Sequence, residues 1–156
     1  MKNYFNCNFR VWVWIAIAVP DFFLLAAGDL ALRSRGALLR AEEHALWRDN
    51  PERKAAHYET LFKQRVSAIE KDSAGGKLTR EQFGRAVALA SAERDFFVLE
   101  SSAKQAYIWY RTAAEDFPAP FNPWLKKAEE RLPGALAAWR AELAAKGVKV
   151  EDWMLK

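Results

Sequence analysis

Cysteine is almost absent from this chain, with Cys7 as the single example in 156 residues. One thiol cannot form a disulfide within the chain or supply a four-cysteine metal site, so disulfide scaffolds and cysteine-based zinc domains are excluded. Cys7 also precedes the main apolar run, whereas a bacterial lipoprotein cysteine would follow such a run. We interpret it as an ordinary free thiol.

The motifs of common catalytic sites are also lacking. The sequence has no glycine-rich phosphate loop, no Gly-x-Ser-x-Gly elbow, no His-Glu-x-x-His pair and no haem attachment motif. Neither His44 nor His57 follows a glutamate by three residues, as a di-iron bundle would require. Glu93 and Glu100 could form a buried acidic pair, or they could mark the solvent boundary of a helix. We therefore predict a protein that is not an enzyme and has no catalytic residues, cofactor or metal site.

Residues 71–83, KDSAGGKLTREQF, resemble an EF-hand loop in the positions of Gly76, Leu78 and Phe83. The positions that supply calcium ligands in that family hold residues such as Lys71 and Gln82, so no calcium site is predicted. The stretch AYIWYRTAAEDFP resembles part of a tetratricopeptide unit, but no repeat continues around it.

The remaining pattern is helical, because no alternation typical of strands extends over more than a few residues. A small glycine and proline content, 7 and 6 residues, excludes a collagen-like chain. Helices are predicted over 36–48, 51–71, 79–115 and 122–147, with the third interrupted near Gly84 or Ser91 unless it projects as part of an extended hairpin. Start signals include Asn50-Pro51, Asn122-Pro123 and a capping box of Thr79 with Gln82. Residues 148–156 are predicted to dock through their apolar end.

The longest apolar run, VWVWIAIAVPDFFLLAAGDLAL, extends from Val11 to Leu32 and contains two charged residues. A helix rises about 1.5 Å per residue, so this run would reach roughly 33 Å and could cross the hydrocarbon core of a bilayer. Trp12 and Trp14 lie near its start, and tryptophan rings favour the headgroup level. The run predicts a single-pass membrane anchor within residues 1–35, followed by a helical extramembrane domain over 36–156.

Two other interpretations of the run remain open. In the first, residues 1–28 are a cleaved signal peptide, with Lys2 and Arg10 as its basic region and Ala26-Ala27-Gly28 as its cleavage site. The mature chain would then be a secreted or periplasmic helical binding module. In the second, the run is a buried helix of a soluble domain. Basic residues on its two sides are nearly balanced, so the side of the membrane is not predicted.

Asp21 is the costly residue of the predicted anchor, because a carboxylate near mid-bilayer costs about 2.5 to 3.5 kcal/mol on insertion scales. Trp14, Asp21 and Gly28 are spaced by seven and share one side of a helix. We predict that this side binds larger integral membrane protein subunits that offer Asp21 a basic or hydroxyl group, with Gly28 allowing close approach. In the alternative, Pro20 breaks the helix and Asp21 caps a second helix that starts at Phe22.

Arg33, Arg35 and Arg40 follow the apolar run and are predicted to contact lipid headgroups. They are also the nearest approach to a basic cluster in a chain of net charge +4. Nucleic-acid binding usually needs a concentrated basic stripe, so no nucleic-acid partner is predicted. Asp29 lies one turn before Arg33 and can pair with it.

Aromatic residues are more numerous than a core of this size requires, with 7 Trp, 4 Tyr and 10 Phe. Phe117, Phe121 and Trp124 are spaced through a proline-stiffened loop, DFPAPFNPW, which would lose little entropy on binding. They are the predicted contact patch for a protein partner, unless they cover the helices of their own chain.

These features predict an all-α protein with one N-terminal transmembrane helix followed by an extended helical hairpin or a small helical bundle. The corresponding function is a non-catalytic accessory or structural subunit of a larger membrane protein complex.

Overall fold

A computed structural model describes the backbone of residues 4–148 and the side chains of residues 11–148. Within 4–148 the chain is all-α, as predicted, and no strand occurs. The helices are α1 (Tyr4–Asp49), α2 (Pro51–Ala74), α3 (Arg80–Leu99), α4 (Ser102–Glu115) and α5 (Pro123–Ala145). The predicted role of residues 149–156 in docking, and the side chains of Lys2, Cys7 and Arg10, lie outside the described residues.

α1 is one continuous helix of 46 residues, so the apolar run and the following helix are joined without a loop. Pro20 lies inside it, and the alternative in which Asp21 caps a second helix is therefore wrong. Proline removes one backbone donor and clashes with one preceding turn, which bends a helix but need not end it when both flanks are strongly helical.

The second half of α1 forms a three-helix bundle with α4 and α5. α4 runs antiparallel to α1, because Ser34 Oγ donates to the Ala113 carbonyl at 2.9 Å while Arg40 lies over the Trp109 ring. α5 reverses direction again, and its Trp139 ring stacks on Tyr107 at 5.4 Å. Alanine makes up six of the nine buried residues of the shared core among the described residues: Ala37, Leu38, Ala41, Ala106, Tyr107, Tyr110, Ala113, Ala128 and Ala135.

α2 and α3 pack on each other as a separate antiparallel hairpin that contacts the bundle mainly through α1. Tyr58 and Phe97 stack with their centroids 5.2 Å apart and nearly parallel planes, and Arg94 pairs with Glu59. The predicted capping box is present at the start of α3, where Thr79 and Gln82 satisfy each other's backbone N–H groups. The fold thus combines both predicted arrangements, a hairpin and a small bundle.

The predicted third helix is divided at Glu100 and Ser101, and the expectation of an interruption near Gly84 or Ser91 is wrong. Both residues are extended, with ψ of 140° and 114°. The Ser101 hydroxyl accepts from Lys104 N and caps α4, while it donates to Glu142 of α5 at 2.5 Å. The hydrogen bond to Glu142 of α5 helps to fix the break at this position. The sequences of α3 and α4 alone do not indicate it.

Candidate membrane-anchoring and docking surface

The first half of α1 carries an apolar segment, residues 11–25, on which no other part of the described chain packs, and which we term the rod. All residues from 11 to 25 are exposed, and none of the apolar window is buried in the chain. Trp14 is 70% exposed and Leu25 is 75% exposed. By length and composition this is the one helix among the described residues that could cross a membrane. A signal sequence has the same properties, whereas a core helix of this chain would be buried against its own domain.

After the rod, α1 passes from exposed to buried over two turns as it enters the bundle. Ala26 and Leu30 are half-buried, and Ser34 is fully buried against α4. Asp29 and Arg33 form an exposed ion pair at 2.7 Å in this transition. Such a pair contributes little to stability at a surface, but it places both charges near the end of the apolar run.

Trp14 and Asp21 on the rod are exposed, and so is Gly28 just after it. Seven residues turn an α-helix by roughly two full revolutions, so the three positions form one stripe along its length. A Cβ added at Gly28 would meet no atom within 4 Å, which leaves the backbone open to a neighbouring helix. The chain itself places nothing against this stripe among the described residues.

Two hydrogen-bond acceptors in the middle of the rod, the Asp21 carboxylate and the Ala16 carbonyl, belong to residues on neighbouring turns of α1. The Asp21 side chain is exposed and has no hydrogen bond or ion pair with any residue that the structure describes. Pro20 has no N–H, so the Ala16 carbonyl lacks its α-helical donor. In hydrocarbon each unsatisfied polar group costs free energy, and donors from another molecule would remove that cost.

The three arginines after the rod have different surroundings. Arg33 is exposed and paired with Asp29. The guanidinium of Arg35 lies 5.5 Å from the centre of the Trp124 ring, and that of Arg40 lies 4.6 Å from the centre of the Trp109 ring. Cation–π contacts therefore hold Arg35 and Arg40 on the surface of the bundle, while Arg33 is the nearest of the three to the apolar run.

The aromatic loop between α4 and α5 does not present its three aromatic residues alike. Phe117 and Trp124 are half-buried and pack against the bundle core. Phe121 is 103% exposed and has a φ of +59°. Asn122 follows it and caps α5 by accepting from Trp124 N and Leu125 N. Of the predicted contact patch, Phe121 alone is fully available to another molecule.

A polar cluster that the sequence patterns did not indicate lies where the hairpin meets the bundle. Lys54 of α2 is 5% exposed, and its ammonium group donates to the Glu100 carbonyl at the end of α3. Burial lowers the pKa of Lys54, with the nearby Glu100 and Glu142 carboxylates acting in the opposite direction. Burial also raises the pKa of Glu142, but hydrogen bonds from Lys146 and Ser101 more than offset this and lower it overall.

His44 of α1 lies beside this cluster and contacts the Trp47 ring at 5.0 Å. Its Nδ1 atom is buried without a hydrogen-bond partner among the described residues. Burial lowers the pKa of His44, against the opposing effect of Glu43. The cluster ties the hairpin to the bundle, and no signal in the local sequence could have found it, because its members come from α1, α2, α5 and the junction between α3 and α4.

The acidic residues considered for catalysis are engaged separately. Glu93 pairs with Arg65 across the hairpin, and Glu100 accepts from the Gln105 side chain at the α3–α4 break. Within residues 11–148 no group of three or more His, Cys, Asp or Glu side chains is placed to hold a metal ion.

Comparison with known proteins finds no matching family model, no matching curated protein and no matching solved structure. The functional assignment must therefore follow from the residues and geometry of this chain.

Proposed function

We propose that this protein is a non-catalytic, single-pass accessory or structural subunit of a larger membrane protein complex. The observation that carries the proposal is the uncovered first half of α1, in which every residue from 11 to 25 is exposed ahead of a folded bundle. Water would meet this entire apolar surface, at a cost of roughly 25 cal/mol per Å². A bilayer removes that cost, and the helix is long enough to cross one.

The partner of the anchor is an integral membrane protein. Lipid alone covers the apolar side chains but offers no donor to Asp21 in the middle of the span. A partner helix bearing a basic or hydroxyl side chain would satisfy that carboxylate, and Gly28 on the same stripe lets the two backbones approach closely. Trp14 adds a large contact area at the other end of the stripe.

The bundle and the hairpin form the extramembrane part, on a side of the membrane that the chain does not indicate. Because α1 is continuous from the rod into the bundle, the domain is held directly at the membrane surface, without a flexible linker. Arg33 is the cation best placed for lipid headgroups there. The proposal includes no nucleic-acid partner.

The docking stripe is tested by Asp21→Leu in the full-length chain, expressed in its native host with an affinity tag at the carboxyl end. This change makes the span more apolar, so membrane retention after carbonate extraction should persist or increase. The affinity for the partner subunits, read from co-purification, should fall by roughly 10- to 150-fold, because one buried charge-assisted contact is worth roughly 1.5 to 3 kcal/mol. Asp29→Leu, at the exposed end of the run, is the matched control and should leave co-purification unchanged.

Several outcomes would contradict the proposal. Unchanged co-purification in Asp21→Leu would show that the carboxylate does not bind a partner. A full-length chain that is monomeric in water without detergent would exclude the anchor. A mature amino terminus at Asp29 would show instead that residues 1–28 are removed as a signal peptide, and the protein would then be a secreted or periplasmic binding module.

A further inference from the structure

Phe121 is unusual in both its backbone and its surroundings. Its φ of +59° lies in the left-handed region, which bulky side chains rarely adopt, and its side chain is 103% exposed. Among residues 11–148 no side chain packs over Phe121, since Phe117 and Trp124 on its two sides pack inward. The backbone therefore directs one large apolar side chain away from the domain.

The fold places this side chain at the membrane end of the bundle. Ser34 of α1 holds the last part of α4 through the Ala113 carbonyl, and Arg35 holds the start of α5 through the Trp124 ring. The connection between those helices, residues 116–122, must therefore lie beside α1 where the apolar run ends at Leu32. A helix rises about 1.5 Å per residue, so Leu32 and Ser34 are separated by roughly 3 Å along the axis of α1. The end of the apolar run and the contact with α4 therefore lie at nearly the same level.

We infer that Phe121 inserts into the headgroup–acyl boundary of the leaflet from which α1 emerges, as a second lipid contact beside the anchor. The inference rests on the proposed membrane function. Pro118, Pro120 and Pro123 stiffen the loop, so it loses little conformational entropy when it binds. The loop lies beside the end of the anchor, and phenylalanine is among the side chains that bury at the headgroup–acyl boundary.

Lipid fits this site better than a protein partner does. A stable protein interface buries about 800 Å² on each side, whereas the neighbouring aromatic side chains are already packed against the core. Charge does not drive the contact, because the Phe121 side chain is apolar and the nearby Arg33 is already paired with Asp29 at 2.7 Å. The expected contact is therefore hydrophobic and should occur on zwitterionic lipid.

Such a contact would set the orientation of the domain. A single transmembrane helix leaves the bundle free to rotate about the helix axis and to tilt. A second attachment at Phe121, off that axis, restrains both motions and so fixes which side of the hairpin faces a partner complex.

The test uses full-length protein with Cys7→Ser and one new cysteine that carries an environment-sensitive NBD dye, reconstituted into phosphatidylcholine vesicles with brominated acyl chains. Three positions are compared: Phe121→Cys, Phe96→Cys on the exposed side of α3, and Leu24→Cys in the rod. We expect strong quenching at Leu24, clear quenching with a blue shift at Phe121, and neither at Phe96.

The controls separate the two proposals. Quenching at Leu24 without quenching at Phe121 would overturn the lipid contact and leave the anchor intact. No quenching at Leu24 would contradict the anchor itself, and the lipid contact would fall with it.

A second measurement avoids the polarity of the dye. Benzoylphenylalanine is introduced in place of Phe121, with the same substitution at Phe96 as the control, and the protein is irradiated in native membranes. Adducts to lipid at Phe121 alone support the inference. An adduct to a discrete protein at Phe121, without lipid adducts, would overturn it and identify the loop as a protein-binding site.

Discussion

At the scale of single residues, alanine determines how closely the three helices of the bundle approach. Ala41, Ala106, Ala113 and Ala128 are each 0% exposed at the contacts between helices. Small side chains at these positions leave no space for larger ones, because protein interiors are packed as densely as organic crystals.

Ala106→Leu should therefore destabilise the bundle by about 1 to 3 kcal/mol, since the added methyl groups force α4 away from its neighbours. Urea or thermal unfolding of the full chain in detergent measures the change. Ala92→Leu is the matched control, because Ala92 is exposed on α3 and should change stability by less than about 0.5 kcal/mol. Equal effects of the two substitutions would show that the alanine core is not tightly packed.

His44 makes the stability of the molecule depend on pH. Its pKa is lowered from 6.5 in the folded state, first by burial, so the unfolded chain binds the proton more readily. The contribution of neutral His44 to the free energy of unfolding is fully present above pH 6.5. It is lost as the pH falls from 6.5 towards the lowered pKa of the folded state. Glu142, whose pKa is lowered from 4.5, acts separately at pH values below 4.5.

Between about pH 7.5 and 5.5 the melting temperature should therefore fall, and the fall should be smaller in His44→Gln. Differential scanning fluorimetry at several pH values measures the slope. His57→Gln is the matched control, because it removes the other histidine, which is exposed on α2. A slope unchanged in His44→Gln would assign the dependence to other groups.

At the scale of elements, the helix ends differ in how far they are set by neighbouring residues. Asn122 accepts from two backbone N–H groups of α5, and Thr79 forms its capping box with Gln82. These ends depend on residues within one turn, so the sequence patterns predict them well. The break at Glu100 and Ser101 depends also on Glu142, which is 41 residues further along the chain, and was not predicted.

Ser101→Ala should destabilise the protein by about 0.5 to 2 kcal/mol through the lost cap of α4, with a further loss from the hydrogen bond to Glu142. Ser102→Ala is the matched control at the next position, which lies within the helix. Chemical denaturation of both variants makes the comparison. Equal stability of the two variants would show that Ser101 does not hold the junction.

At the scale of the whole molecule, the rod and the folded domain share one helix but depend on different surroundings. The fully buried core side chains begin at Ser34, whereas residues 11–25 are all exposed. The bundle should therefore fold without the rod.

A chain that begins at Asp29 retains the Asp29–Arg33 ion pair and all buried residues of α1. We expect it to be soluble without detergent and to keep the circular dichroism of a helical protein. The truncation removes the apolar surface of the rod, whose exposure to water costs about 25 cal/mol per Å². Sedimentation and circular dichroism measure both properties. Aggregation or loss of helix would show that the rod is needed for folding.

The sequence by itself determined the helical class, the apolar run, the polar residues within it and the helix ends that are capped locally. Each of these depends on side chains within a few residues of one another, where periodicity and capping chemistry act. The tertiary structure decided that α1 continues past Pro20, that α3 ends at Leu99, that Lys54 is buried, and that Phe121 is the fully exposed residue among the three aromatics Phe117, Phe121 and Trp124. Those outcomes depend on contacts such as Ser34 with Ala113 and Ser101 with Glu142, between residues that are brought together only when the helices pack.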